Sequence, residues 1–136
     1  MPHSPALPAI LVVDDEPTVL SCVCAVLAHF GFEVSGAGSP HDALRAASST
    51  RAPIDLLLCD VIMPGMNGPE LAHRILAQHP ETQCLFIAGL PDHPDVVNGI
   101  IGCGLPFLPK PFTPRELIAK VREVLNGGAL TFAAGA

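Results

Sequence analysis

The chain has neither tryptophan nor tyrosine, and its only large aromatics are six phenylalanines. This removes the usual stacking platform for single-stranded nucleic acid and most aromatic cages for cationic ligands. Positive charge is also scarce: seven Lys and Arg stand against 13 Asp and Glu among 136 residues, giving a formal charge of −6. A nucleic-acid groove needs a basic stripe to displace phosphate counterions, so no nucleic-acid partner is expected. The longest uncharged window, between Glu16 and Glu33, is interrupted by Pro17, Ser21, His29 and Gly31. That window is too short and too polar to span a bilayer, so no membrane contact is expected either. The five cysteines are odd in number and show no C-x-x-C pair, and the six histidines lack metal-ligand spacing. Structural zinc and a disulfide framework are therefore disfavoured, and reduced core thiols are expected. The first eight residues have no basic or apolar stretch of the signal-peptide kind, which argues for a cytoplasmic protein.

What is abundant is apolar sequence in short blocks. Hydrophobic residues make up 49% of the chain and mean hydropathy is +0.46, enough for one buried core in a single domain. Ala9 to Val13 is a continuous apolar run that reads as a strand covered on both faces. It stops at Asp14-Asp15-Glu16, and Pro17 suits a first helical turn. Val19, Leu20, Val23, Val26, Leu27 and Phe30 then recur at helical spacing up to Gly31. Phe32 to Ala37 is a second strand, and Ser39 caps a helix running to about Ser48. Ile54 to Cys59 is a third strand leading straight into Asp60, followed by turn-rich sequence and a helix to about Gln78. Cys84 to Ala88 is a fourth strand, Asp92 to Cys103 a glycine-weakened helix, and Leu105 to Leu108 a fifth strand. Thr113-Pro114-Arg115-Glu116 is a capping box that opens the last helix, closed by Gly127-Gly128.

Strict alternation of strand and helix predicts an α/β fold: a five-stranded parallel sheet with helices on both faces. Five such units fit the flavodoxin-like order 2-1-3-4-5, a three-layer (βα)5 sandwich whose ligand crevice lies at the carboxyl ends of strands 1 and 3. Asp14, Asp15 and Asp60 all fall at those strand ends, far apart in sequence and close in space. Three crowded carboxylates repel one another unless a cation is supplied. A hard divalent ion with oxygen ligands resolves the conflict, and Mg²⁺ suits it because it takes few carboxylates and keeps several waters. A carboxylate beside such an ion can act as a nucleophile towards phosphorus, with a further cation offsetting charge on the phosphoryl oxygens. Lys110 is the lysine placed for that role, after the fifth strand, and Lys110-Pro111 is a candidate cis bond that would aim the ammonium inward. Any single Asp at a helix start can be an N-cap, and Asp15 is expected to serve partly as one. Asp60, ending a buried strand and followed by Val61-Ile62, is not explained that way.

Asp14-Asp15, Asp60-Val61-Ile62-Met63-Pro64 with Gly68, and Phe107-Leu108-Pro109-Lys110-Pro111-Phe112 resemble the receiver domain of two-component response regulators. The resemblance covers residues 9–126, leaving 1–8 as a flexible N-terminus and 127–136 as a short tail. It implies that Asp60 is the phosphoacceptor, and that Asp14, Asp15, Asp60 and the backbone carbonyl of Ile62 hold Mg²⁺. It further implies that Lys110 contacts the phosphoryl group and that Phe107 occupies an aromatic switch position. The phosphodonor would be a phosphohistidine on a sensor histidine kinase or a histidine phosphotransfer protein. A receiver of this kind is not a classical enzyme; it catalyses at most its own phosphorylation and dephosphorylation. Ile62 and Leu90 fall at positions that modulate hydrolysis in similar domains, and both are apolar, so slow loss of the phosphoryl group is expected.

The sequence departs from the family at one switch position. Ala88 stands where Ser or Thr is usual, at the end of the fourth strand, and its spacing to Lys110 supports that alignment. Without a hydroxyl it cannot reach a phosphoryl oxygen, so coupling from Asp60 to Phe107 is expected to be weak. The alternative is a pseudo-receiver that binds proteins independently of phosphate; Ala88 favours it, whereas the complete Asp and Lys set disfavours it. A phosphatase of the haloacid dehalogenase type would want D-x-D after the first strand, and a flavodoxin would want hydroxyls and glycines there to cradle phosphate. On the first helix, Ser21, Ala25 and Ala28, with Cys24 at the edge, form a small uncharged outer face. This face is either an inexpensive solvent surface or a docking patch for the donor's four-helix bundle. Residues 127–136 are too few for a helix-turn-helix, so output through protein contacts or a longer chain is expected. Leu85-Phe86-Ile87 with Gly89, and the apolar tail, resemble a hybrid-sensor-kinase receiver.

Overall fold

The computed structural model describes residues 7–89 and 94–128. The elements in chain order are β1 (Ala9–Val13), α1 (Pro17–His29), β2 (Glu33–Ala37), α2 (Pro40–Ser49) and β3 (Leu56–Asp60). They continue with α3 (Gly68–Gln78), β4 (Gln83–Gly89), α4 (Pro94–Gly102), β5 (Phe107–Lys110) and α5 (Pro114–Glu123). The strands form one parallel sheet in the order β2-β1-β3-β4-β5, as the alternating sequence predicts.

Period-2 alternation divides the sheet between two cores. Leu11, Val13, Leu57, Cys59, Phe86 and Ala88 point to one face, where Ala43 and Ala47 of α2, Leu71 and Ile75 of α3, and Val97 and Ile100 of α4 cover them. Ile10, Val12, Leu56, Leu58, Leu85 and Ile87 point to the other, beneath Val23 and Leu27 of α1 and Leu117 and Val121 of α5. All five residues of β3 are buried, because the central strand has helices over both faces. Buried Thr82 donates its hydroxyl to the Ile54 carbonyl at 2.7 Å, which leaves that polar group satisfied below the sheet.

Strand boundaries differ from the sequence reading for local reasons. The apolar character of Phe32 and Leu105 predicts strand residues; both instead complete helix C-caps. Gly31 has φ +94° and donates to Ala28, while Phe32 donates to Leu27. Gly104 repeats the arrangement with φ +74°, donating to Ile101 while Leu105 donates to Ile100. These paired bonds satisfy terminal carbonyls that would otherwise lack partners. The fifth strand therefore starts at Phe107 and includes Lys110. Its Pro109 is tolerated because β5 is an edge strand, with donors needed on one side only. Phe30, placed on the apolar stripe by periodicity, is 42% exposed and meets the His29 ring edge-on. The Thr113–Glu116 capping box forms with both bonds in place. Beyond α5 a wide helical turn, Val124–Gly128, carries the chain past the expected stop at residue 127. Residues 1–6 and 129–136, Leu90, and the Asp92 start expected for the fourth helix lie outside the described residues.

Candidate functional site

At the carboxyl edge of the sheet, β1 ends next to β3, and each strand delivers its carboxylate there. Asp14 is 1% and Asp60 7% exposed; Asp15, one residue on, faces solvent. Asp14, Asp15 and Asp60 each offer an oxygen within 4.8 Å of the others. The Asp14 Oδ1 accepts the Glu16 N–H at 2.9 Å, and Asp60 Oδ1 accepts the Ile62 N–H at 3.4 Å. These bonds fix both carboxylates against their own loops. Glu16, not Asp15, occupies the N-cap of α1, and it makes no capping bond through its side chain. The expected capping role for Asp15 is therefore not seen, which leaves its carboxylate available to the cluster.

Lys110 arrives from β5 on the far side. Its ammonium donates to Asp60 Oδ2 at 3.2 Å and to Asp14 Oδ2 at 3.3 Å, and lies 4.0 Å from Glu16 Oε1. The Lys110–Pro111 peptide is cis. Burial raises the Asp60 carboxyl above the usual carboxylate value; the Lys110 ammonium opposes this and Asp14 adds to it. Burial alone would lower the Lys110 ammonium, but Asp60 and Asp14 outweigh it and the net direction is upward. Beside the site, Cys59 is fully buried, donates its thiol to the Asp60 carbonyl at 3.2 Å, and is pushed well up by burial. It behaves as a core thiol, as expected.

A single ammonium faces a cluster of carboxylates, so negative charge exceeds positive within the site. All the side-chain donors are hard oxygens at mutually short range. That chemistry fits a small divalent cation such as Mg²⁺. A cleft of about 530 Å³ opens over the cluster, lined among others by Asp15, Glu16, Asp60, Ile62, Ala88 and Lys110. Phe107 is half-buried against the α2–α4 core, and Ala88, 2% exposed, ends the same layer at the cleft.

The sequence profile of the response regulator receiver domain matches residues 10–122. This chain belongs to that family. The receiver is 36% identical over 117 residues to the DNA-binding response regulator MtrA of Mycolicibacterium smegmatis, covering 86% of this chain and 50% of that protein. It is 31% identical over 117 residues to the sensor kinase CckA of Brucella abortus, covering 86% of this chain and 12% of that one. The crystal structure of a response regulator receiver domain protein from Clostridium thermocellum superposes with a TM-score of 0.77 at 30% identity, covering 91% of this chain and 98% of that chain. The receiver thus spans about half the length of MtrA and a small fraction of CckA. It is a signalling module of two-component phosphorelay systems. Receiver domains bind Mg²⁺ at an acidic pocket and interact with sensor histidine kinases or phosphotransfer proteins.

Leu90 lies outside the described residues. Asp14, Asp15, Asp60 and Lys110 converge, while Ile62 and Ala88 line their cleft. Ser21, Ala25 and Ala28 are exposed on α1 and Cys24 is half-buried. The sequence reading missed Glu16 as part of the site and Cys22 as part of the exposed α1 face. Glu16's position directly after the Asp pair was the available signal; Cys22 had none, because small-residue periodicity did not reach it. Among the described residues no helix is long and apolar enough to cross a membrane.

Proposed function

We propose that Asp60 is the phosphoacceptor and takes its phosphoryl group from a phosphohistidine on a sensor histidine kinase or histidine phosphotransfer protein. The carriage of both Asp60 oxygens supports this: Oδ1 accepts from Ile62 and Oδ2 from Lys110, within a cleft open to solvent. A carboxylate oxygen of Asp60 attacks phosphorus, the P–N bond to the donor ring breaks, and a ring protonated at its other nitrogen leaves as neutral imidazole. Lys110 is then the group that pairs with the incoming phosphoryl oxygens. Asp14, Asp15, Asp60 and the Ile62 carbonyl would hold Mg²⁺, which when bound supplies charge neutralisation for the phosphoryl oxygens.

We further propose that residues 9–126 form the working unit, that Ser21, Ala25 and Ala28 receive the donor, and that the receiver acts in the cytoplasm. The loss of a hydroxyl at Ala88 weakens the link from Asp60 to Phe107. The pseudo-receiver alternative rests on Ala88 alone, whereas the intact Asp and Lys constellation favours phosphorylation. Intact mass after incubation with acetyl phosphate, with and without Mg²⁺, tests the reading. Wild type gains one phosphoryl group only with Mg²⁺ and Asp60→Asn gains none. An unmodified wild type, or a phosphorylated variant, refutes it.

A further inference from the structure

The cleft over Asp60 is lined by the exposed carboxylates of Asp15 and Glu16 and by the apolar residues Ile62, Ala88 and Pro111. Asp15 belongs to the acidic cluster with Asp14 and Asp60. Glu16 does not: its side chain is 66% exposed, it makes no capping bond, and its carboxylate pairs among the described residues with the Lys110 ammonium at 4.0 Å. Its charge suits the N-terminus of α1, but among the described residues no hydrogen bond ties its carboxylate down. It stands beside the ammonium that any incoming phosphoryl oxygen must approach.

We infer that Glu16 is a specificity-determining residue that biases the receiver against small, highly charged phosphodonors and towards a phosphohistidine presented by a protein. The inference rests on Asp60 being the phosphoacceptor. Glu16 repels a phosphoryl donor in proportion to the donor's charge. Acetyl phosphate reaches the cleft as a dianion, with its second charge unneutralised by its own leaving group. A phosphohistidine ring carries less net charge once its free nitrogen is protonated, and its leaving group is a neutral ring that the apolar lining residues Ile62 and Pro111 can accept. The bias acts through charge at an exposed site, so salt screens it.

The test compares wild type with Glu16→Gln, using acetyl phosphate and phosphoramidate, whose protonated nitrogen makes it a monoanion at neutral pH and leaves as ammonia. Initial rates are followed by intact mass at saturating Mg²⁺ and two ionic strengths. For Glu16→Gln at low salt, the acetyl phosphate rate rises about threefold and the phosphoramidate rate less than twofold, as expected for one removed charge acting across water. The difference shrinks at high salt. Equal changes for the two donors, a change insensitive to salt, or a slower reaction with acetyl phosphate would overturn the inference. The exposed side chain can be changed without disturbing the core, and thermal melts of both proteins check this. Modification lost in Asp60→Asn but unaltered in donor preference by Glu16→Gln defeats this inference alone. Modification retained in Asp60→Asn defeats the phosphoacceptor assignment and this inference with it.

Discussion

Gly68 packs directly against the backbone of Asp60: a Cβ added at Gly68 would lie 2.6 Å from the Asp60 carbonyl oxygen and 3.1 Å from the Val61 Cα. The Gly68 N–H donates to the Val61 carbonyl at 2.7 Å, and Asn67 caps α3 by accepting the Glu70 N–H. The start of α3 thus clamps the loop that carries Asp60, and only glycine allows so close an approach. Gly68→Ala therefore destabilises the domain by about 1–3 kcal/mol, the usual range for forced overpacking. It also displaces the Asp60 carboxylate, so Mg²⁺ affinity falls several-fold. Urea unfolding followed by circular dichroism and a calorimetric Mg²⁺ titration check both effects. Unchanged stability would show that the loop moves freely.

The Asp60 carboxyl, raised by burial, makes metal-free stability depend on pH in an unusual direction. Between the ordinary carboxylate value and its higher folded value, the folded state keeps a proton that the unfolded state has released. Folded protein then binds more protons than unfolded, so this group's contribution to stability falls as pH rises through that window and stays low above it. Asp60→Asn abolishes the effect. With a chelator present, the variant should gain on wild type from about pH 4 upward and then hold a constant advantage to about pH 7. Added Mg²⁺ reverses the order by stabilising wild type more. An advantage that shrinks with rising pH contradicts the assignment of burial as the dominant influence.

The sheet and the acidic cluster were legible because both depend on patterns the chain carries locally. Continuous apolar runs mark strands covered on two faces, and an Asp directly after such a run must lie at a strand end. Alternation then brings Asp14 and Asp60 together without any knowledge of contacts. What was not legible depends on hydrogen bonds between distant or merely adjacent turns. Phe32 and Leu105 are apolar and look like strand, yet their N–H groups are committed to the helices they leave. Glu16 was passed over because its meaning comes from Lys110, at the other end of the chain.

The exposed small face of α1 leads to a third prediction. Ser21, Ala25 and Ala28 are all open to solvent on a helix whose first turn follows Asp15 and Glu16. A carboxylate placed at residue 25 costs little in the free receiver but is desolvated without a partner if this face docks. Ala25→Glu should slow transfer about tenfold or more from a phosphohistidine-bearing four-helix phosphotransfer protein that modifies wild type. Its melting temperature and its rate with acetyl phosphate should change little. Transfer at the wild-type rate would remove α1 from the docking surface.

Ala88 sits at the end of β4, 2% exposed, in the layer that also holds Phe107, and is one of the residues lining the cleft over Asp60. A hydroxyl at this point could bond an oxygen of a group on Asp60, and a hydrogen bond to a charged partner contributes about 1.5–3 kcal/mol. Allosteric couplings are of the same size, about 1–3 kcal/mol, so one such bond can decide whether Phe107 responds. Ala88→Ser should therefore enlarge the amide chemical-shift change at Phe107 and in α4 when beryllofluoride binds, while the change at Asp60 stays similar. The added hydroxyl sits at a position only 2% exposed, so without a group on Asp60 to bond, stability should fall by about 1–3 kcal/mol. If wild type and Ala88→Ser respond equally at Phe107, the coupling runs through the β4 backbone instead, and the missing hydroxyl does not weaken it.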